Sequence, residues 1–161
     1  MKQNIFSSGI LEAKSDFYVE YKLDRTDINF NINSKTIVLH KHKLEQIIQA
    51  ALNDLEINKG SLNIIDNGGQ YFVLQARIEA VIKSAYPKLK KQSLPKFQEH
   101  SKYKSKKDRF RRSRLYIPGN QAKLMLNAGI HKPDAIILDL EDSVAPEDKH
   151  SARFIVRNAL R

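Results

Sequence analysis

Between residues 17 and 32 the apolar side chains fall on alternate positions: Phe17, Val19, Tyr21 and Leu23, then Ile28, Phe30 and Ile32 beyond the polar Asp24-Arg25-Thr26-Asp27. Period two with β-branched and aromatic residues around a polar turn predicts two strands joined as a hairpin with one buried face. The period then changes. Leu44, Ile47, Ile48, Ala51, Leu52 and Leu55 share one face of a helix over about Lys41 to Glu56, with Lys43, Glu45, Gln46, Gln49 and Asn53 elsewhere on the wheel. Asn58-Lys59-Gly60 stops that helix. Leu62 and Ile64 predict a third strand ending at Asp66-Asn67-Gly68-Gly69. Val73, Leu74, Ile78, Val81 and Ile82 predict a second helix from Tyr71 to Tyr86, closed by Pro87. The predicted order is ββαβα, a small α+β unit over residues 1–86.

A second pattern occupies residues 109–161. Leu115-Tyr116-Ile117 predicts a short strand halted by Pro118-Gly119, and a helix follows from about Gln121 to Ala128. Ala135-Ile136-Ile137-Leu138 is a continuous apolar run, which suits a parallel strand covered on both faces. Pro146-Glu147 opens a last helix carrying Ala152, Ile155, Val156 and Leu160. The order is strand, helix, strand, helix.

Charge separates the two patterns. The 161 residues carry a net charge of +10. Pro87 to Arg114 holds twelve basic residues against Glu99 and Asp108, so it contains the whole excess and the rest of the chain is balanced. With Pro87, Pro95, scattered Ser and no apolar period, residues 87–108 read as a basic flexible linker between two folded parts. Phe97, Tyr103 and Phe110 are interleaved with this charge and could stack on nucleic acid. No helix-turn-helix or RNA-binding sheet motif accompanies them, so nucleic acid is the lesser expectation.

The chain has no Cys, which excludes a disulfide framework, a thiolate nucleophile and a Cys-based metal centre of its own. Any thiol chemistry must be borrowed. The N-terminal residues lack an apolar signal core, and no stretch approaches the ~18 apolar residues of a membrane span. The expectation is a soluble, cytoplasmic protein with no membrane partner. His40 and His42 lack a third ligand and read as residues of a solvated face, so no metal site is expected. Asn67-Gly68-Gly69 has neither the glycine spacing nor the Lys-Ser/Thr of a phosphate loop and reads as a turn.

Several blocks taken together resemble a known family. Gly9-Ile10-Leu11-Glu12-Ala13-Lys14-Ser15-Asp16, Asp27-Ile28-Asn29-Phe30-Asn31-Ile32-Asn33-Ser34, Leu62-Asn63-Ile64-Ile65-Asp66-Asn67-Gly68 and Leu74-Gln75-Ala76-Arg77-Ile78-Glu79-Ala80 resemble, in order and spacing, the citrate lyase acyl carrier (gamma) subunit over residues 5–86. The resemblance implies a covalent 2'-(5''-phosphoribosyl)-3'-dephospho-coenzyme A arm, joined by a phosphodiester to a Ser near the N-terminus. Its terminal thiol would hold acetyl or citryl thioesters during citrate cleavage to oxaloacetate and acetate. The implied partners are the citrate lyase alpha and beta subunits and an arm-attaching transferase. A tethered thioester visits several active sites at high effective concentration, which suits a chain without sulfur nucleophiles. The family pattern is Gly-x-Leu-Glu-Ser-x-Asp; here Ala13 follows Glu12, and one additional residue precedes Asp16. Ser15 is the candidate attachment residue, and its alternative is an unmodified polar residue ahead of a strand. Ser7 and Ser8 are poorer candidates, since neither lies near Glu12 and Asp16.

Arg112-Ser113-Arg114-Leu115-Tyr116-Ile117-Pro118-Gly119-Asn120 and Asp139-Leu140-Glu141-Asp142-Ser143-Val144-Ala145-Pro146, with Lys149 and Ala152-Arg153, resemble the N-terminal start of a citrate lyase beta subunit over residues 109–161. This implies the opening of a (β/α)8 lyase domain, a fold of about 250 residues. Glu141 and Asp142, at a strand end, would lie near the Mg2+ of a complete lyase; alternatively they pair with basic neighbours and fix the turn. The family's metal ligands and substrate-clamping Arg come from later strands, so Mg2+ is expected only in a complete lyase partner and no catalytic residue is expected in this chain. Two βα units cannot close a barrel, which predicts open strand edges and thin cover for Ile136, Ile137 and Leu138. The expectation is a truncated carrier–lyase fusion or one fragment of an interrupted gene, with an isolated citryl-thioester lyase as the rival reading.

Overall fold

The computed structural model describes residues 4–35, 37–99 and 104–161. The class is mixed α+β, with four α-helices and two sheets among the described residues. The first part runs β1 (Ile5–Ser8), β2 (Phe17–Asp27), β3 (Asn29–Ser34), α1 (Ile37–Leu55), β4 (Lys59–Asp66) and α2 (Tyr71–Ala85). Alternation orients the sheet as expected. Phe17, Val19 and Tyr21 of β2 and Leu62 and Ile64 of β4 are buried, while Lys22, Asn31 and Asn63 are exposed on the opposite positions. Leu44, Ile48, Ala51, Leu52 and Leu55 of α1 complete one core with Val73, Leu74, Ile78, Val81 and Ile82 of α2.

The strand pairing corrects the expected hairpin. The sheet order is β1-β2-β4-β3, so β4 lies between the two strands thought to be neighbours. Ser61 pairs with Lys22 of antiparallel β2 on one side and with Asn29 of parallel β3 on the other. The Leu23–Ile28 stretch therefore crosses two strand spacings, roughly 10 Å, past the start of β4. There Ile28 donates its N–H to Asn58 O at 3.0 Å. Period two assigns faces but not partners, and a β2–β3 hairpin would satisfy the same alternation. β1 is an additional strand, and α1 begins four residues before the expected Lys41 because its first turn turns Val38 and Leu39 outward, where no apolar period marks it.

The second part runs β5 (Arg114–Pro118), α3 (Ala122–Asn127), a short 3-10 turn (Ala128–His131), β6 (Ala135–Asp139) and α4 (Lys149–Ala159). β5 and β6 form a two-stranded parallel sheet. None of Ile136, Ile137 and Leu138 is buried, and Ile136 is 46% exposed. The apolar run is therefore a strand without a lid on both faces.

The expected linker contains a fixed point. Ser93 is fully buried: its N–H donates to Glu79 Oε2 at 2.9 Å, its hydroxyl donates to Asp54 Oδ2 at 2.9 Å and accepts from Gln75 Nε2 at 2.8 Å. Leu89 packs against the core, and Arg161 Nε donates to Pro95 O at 2.9 Å. Composition sees the lysines that point to water here, not the one serine that ties the segment to α1, α2 and α4. Lys102 and Tyr103 lie outside the described residues; Lys104 to Phe110 are exposed.

The helix α4 lies along α2. Ala152 and Ile155 are fully buried, Ile155 belongs to the main hydrophobic cluster, and Phe154 packs at its edge. Asn158 Nδ2 donates to Phe72 O at 3.2 Å, and His150 Nε2 lies 3.2 Å from Ala80 O. Arg157 grips Glu79 with two bonds of 3.0 and 2.8 Å. Burial alone would push the Glu79 carboxyl up, but the bonds from Arg157, Lys83 and the Ser93 N–H outweigh it and hold the carboxyl below its ordinary value.

Candidate functional site

The segment joining β1 to β2 carries Ser15. Gly9 leaves β1 at a φ of +99°, and a Cβ there would collide with the carbonyl of Phe17, so a bare backbone is required. Ala13 N–H closes a turn onto Ile10 O at 3.2 Å. Ser15 has a φ of +61°, left-handed for a residue with a side chain, a conformation costing about 1 kcal/mol or more.

The opposing turn holds Ser15 in that conformation. Ser15 N–H donates to Asn67 O at 2.9 Å, and Asn67 N–H donates to Asp16 O at 3.1 Å, so Ser15 and Asp16 both face Asn67 just beyond the last β2–β4 pair, Phe17 with Asp66. Asn67 Nδ2 donates to Leu11 O at 2.7 Å. Asp66 caps the turn by accepting from Gly68 N–H at 2.8 Å and from the Ser34 hydroxyl at 2.7 Å. Gly69 has the ring of Phe17 where a Cβ would sit, which brings the two turns together. Asn67-Gly68-Gly69 is thus a turn, and its role is to brace the Ser15 loop.

Asp16, beside Ser15, is buried and bound by Arg77. Its Oδ1 accepts from Arg77 Nε at 3.1 Å and from Phe17 N–H at 2.8 Å, and its Oδ2 accepts from Arg77 Nη2 at 2.6 Å. A bidentate guanidinium–carboxylate pair at this depth fixes geometry. Arg77 Nη1 reaches in two further directions, to Ser8 Oγ at 3.4 Å and to Ser151 Oγ of α4 at 2.9 Å. One arginine therefore ties the end of β1, the Ser15 loop and the second part of the chain together. Ser8 is engaged there, and Ser7 lies in β1 paired opposite Glu20.

Ser15 opens onto a narrow cleft of about 30 Å³, room for roughly two waters. Ala13 and Lys14 line it on one side, and Asn120, Lys123 and Asp148 on the other. Asn120 Nδ2 donates to Asp148 Oδ2 at 3.0 Å, while its Oδ1 is buried without a hydrogen-bond donor among the described residues. Asn120 follows β5 and Asp148 precedes α4, so both come from connections that leave the carboxyl ends of β5 and β6. Sequence reading placed Ser15 in the loop but missed Arg77 and these cleft residues. Arg77 sits within the quoted Leu74 to Ala80 block and is a charged residue on a helix whose neighbours are apolar, a signal for a buried pair.

The remaining candidates lie elsewhere. His40 and His42 are exposed on α1; His40 Nδ1 is 3.1 Å from the Tyr71 hydroxyl. Among the described residues no three His, Asp or Glu side chains are grouped to hold a metal ion. Glu141 and Asp142 are exposed, and the turn there is fixed instead by Asp139, whose carboxylate accepts from the N–H groups of Glu141 at 2.8 Å and Ser143 at 3.1 Å. Hydrogen bonds from Ser143, followed by that from Glu141, hold the Asp139 carboxyl below its ordinary value. Phe97 lies 5.6 Å from the Arg161 guanidinium, whereas Phe110 is 76% exposed beside Arg112, so the interleaved aromatics belong to separate surroundings. No helix among the described residues is long and apolar enough to cross a membrane.

Two different families match two separate stretches of the chain. Residues 6–85 match a family described as Malonate decarboxylase delta subunit (MdcD), and residues 112–161 match HpcH/HpaI aldolase/citrate lyase. The second segment is similar to "Citrate lyase subunit beta" of Haemophilus influenzae, 49% identical over 53 residues, and of Escherichia coli K12, 46% identical over 56 residues. Those alignments cover 33% and 35% of this chain and 18% of each relative. It is also 47% identical over 49 residues to "(3S)-malyl-CoA thioesterase" of Cereibacter sphaeroides, covering 30% of this chain and 17% of that one. No solved structure matches the chain. The chain spans under a fifth of the length of these relatives. Its first half is thus similar to carrier domains of the delta/gamma kind, and its last 50 residues to a segment of the aldolase/citrate lyase family.

Proposed function

We propose that this chain is the acyl carrier of a citrate lyase system, with Ser15 as the residue that takes a phosphoribosyl-dephospho-coenzyme A arm. The observation that carries the reading is the Ser15 loop: a strained serine held by the Asn67 turn and anchored through Asp16 to a buried arginine, in a domain of carrier type joined to a citrate lyase beta segment. When bound, the arm would supply the thiol that the chain lacks.

The residues around Ser15 suit the phosphodiester end of such an arm. Lys14 and Lys123 bring two cations to the cleft, and the Asp16 carboxylate is already neutralised by Arg77. The cleft is far too small for a nucleotide, so this chain's part is to present the hydroxyl and let the arm extend into solvent. Citrate lyase alpha and beta subunits and an arm-attaching transferase are the partners this function requires. Mg2+ would belong to the complete lyase partner.

Intact-protein mass spectrometry after coexpression with an arm-attaching transferase and its precursor tests the reading. One arm mass should be gained by the wild type and lost in Ser15→Ala. An unmodified wild type would overturn the carrier function, and a gain that persists in Ser15→Ala would move the attachment site.

A further inference from the structure

The face of α2 that meets α4 is chemically built rather than incidental. Glu79 has no solvent exposure, yet it receives Arg157 in a bidentate pair, Lys83 at 2.9 Å and the Ser93 N–H. Asn158 reaches the Phe72 carbonyl, and Ser151 accepts from Arg77, the same arginine that anchors the Ser15 loop. Between the two helices themselves, Arg157, Asn158 and Ser151 of α4 meet Glu79, the Phe72 carbonyl and Arg77 of α2 over about two turns, around Ala152 and Ile155. Lys83 and the Ser93 N–H leave room on Glu79 for a bidentate pair, which Arg157 of α4 makes, so the carrier face suits a guanidinium-bearing helix.

The contact also fixes an orientation. Docking α4 on α2 brings the connections after β5 and β6 against the Ser15 loop, across the cleft lined by Asn120 and Asp148. Carboxyl ends of parallel strands are where βα domains build their reactive face. The attachment hydroxyl thus sits at that face.

We propose that this face of α2, centred on Glu79, is the surface by which the carrier recognises the first βα units of a lyase domain. In this chain the surface is occupied by the chain's own segment. A separate, complete lyase chain whose opening segment resembles residues 112–161 would bind there in the same orientation. The inference rests on the carrier reading for its purpose, but the contact itself does not require Ser15 to be modified. An attached segment competes at an effective concentration of about a millimolar, so the wild-type chain should bind such a partner poorly.

The test uses full-length chains and the purified Haemophilus influenzae citrate lyase subunit beta as the probe, with affinity read by calorimetry or surface binding. Arg157→Glu places a second carboxylate against Glu79 and frees the α2 face without altering it; Asn158→Ala is a milder variant of the same contact. Both should bind the probe at least tenfold more tightly than wild type, Arg157→Glu more so. Adding Glu79→Gln to Arg157→Glu should abolish the gain. Amide exchange in β2 and β4 confirms that the carrier core is intact in each. Binding equal to wild type in both single variants, or a gain insensitive to Glu79→Gln, would overturn the proposal. Repeating the measurement in Ser15→Ala separates the two claims: unchanged binding there keeps the docking surface even if no arm is found, and lost binding would overturn a contact independent of modification.

Discussion

The strands β2 and β6 are both rich in apolar residues, and they meet different fates. In β2, Phe17, Val19 and Tyr21 disappear beneath two helices, and the Tyr21 hydroxyl, pushed up by burial and by Tyr86, donates to Lys59 O at 2.8 Å. In β6, a more continuous apolar run keeps Ile136 46% exposed, and its one sheet neighbour is β5. The first part therefore has its own core, and the second part joins that core through Ala122 and through Ile155 of α4. Hydrophobicity of a segment predicts that it needs cover; the surrounding chain decides whether cover exists.

The sharpest way to break this contrast is at Arg77, which is 3% exposed and serves both parts. Arg77→Met keeps the apolar stem but leaves the buried Asp16 carboxylate without its cation, at a cost of about 3–5 kcal/mol. Urea unfolding followed by circular dichroism should show that loss. A change below about 1 kcal/mol would mean that the Ser15 loop is held without the arginine. A smaller effect, confined to one side, is expected at Ile155. Ile155→Ala removes the one α4 side chain that belongs to the main cluster and should cost about 2–4 kcal/mol. Amide exchange should rise across β5, β6 and α4 while β2 and β4 keep their protection; a uniform rise would show that the two parts share one cooperative unit.

Several elements were legible in the sequence because their signals are local. The helix α2 begins at Tyr71 as the pattern predicts, and the inward faces of β2, β4 and α1 follow from period alone. What was not legible is relational. The residues Ile28, Phe30 and Ile32 alternate equally well beside β2 or beside β4, so the crossing of β4 between them left no mark in the pattern. Ser15 could be singled out from its neighbours Glu12 and Asp16, but its left-handed backbone depends on Asn67, more than 50 residues away. The docking of α4 was hidden for a related reason. Ser151, Ala152, Ile155 and Asn158 lie on one face of α4, yet the face includes two polar residues whose partners, Arg77 and the Phe72 carbonyl, are known only after folding. Ser93, in a stretch whose composition is that of a solvated linker, is buried by the same convergence.

The smallest expected effect sharpens the comparison by loosening one part and not the other. Glu79 titrates below its ordinary value in the folded chain, because Arg157, Lys83 and the Ser93 N–H overcome the penalty of burial. Its unfolded counterpart takes up a proton near pH ~4.3. A carboxyl depressed on folding contributes stability that is fully present above the unfolded value and is lost as the pH falls through the lower, folded one. Acidification from neutrality past pH ~4 should therefore weaken the grip of Arg157, and with it the contact between α4 and α2. Tyr21, with its pKa raised, remains protonated throughout this range and its bond to Lys59 is unaffected. Amide exchange measured stepwise from neutral to acidic pH, corrected for the intrinsic rate, should show α4 losing protection before β2 and β4. In Glu79→Gln that early step should vanish, because α4 would already be loosened at neutral pH and there would be no carboxyl left to titrate. An acid step that persists in Glu79→Gln would assign the sensitivity to another carboxylate and remove Glu79 as the link between the two parts.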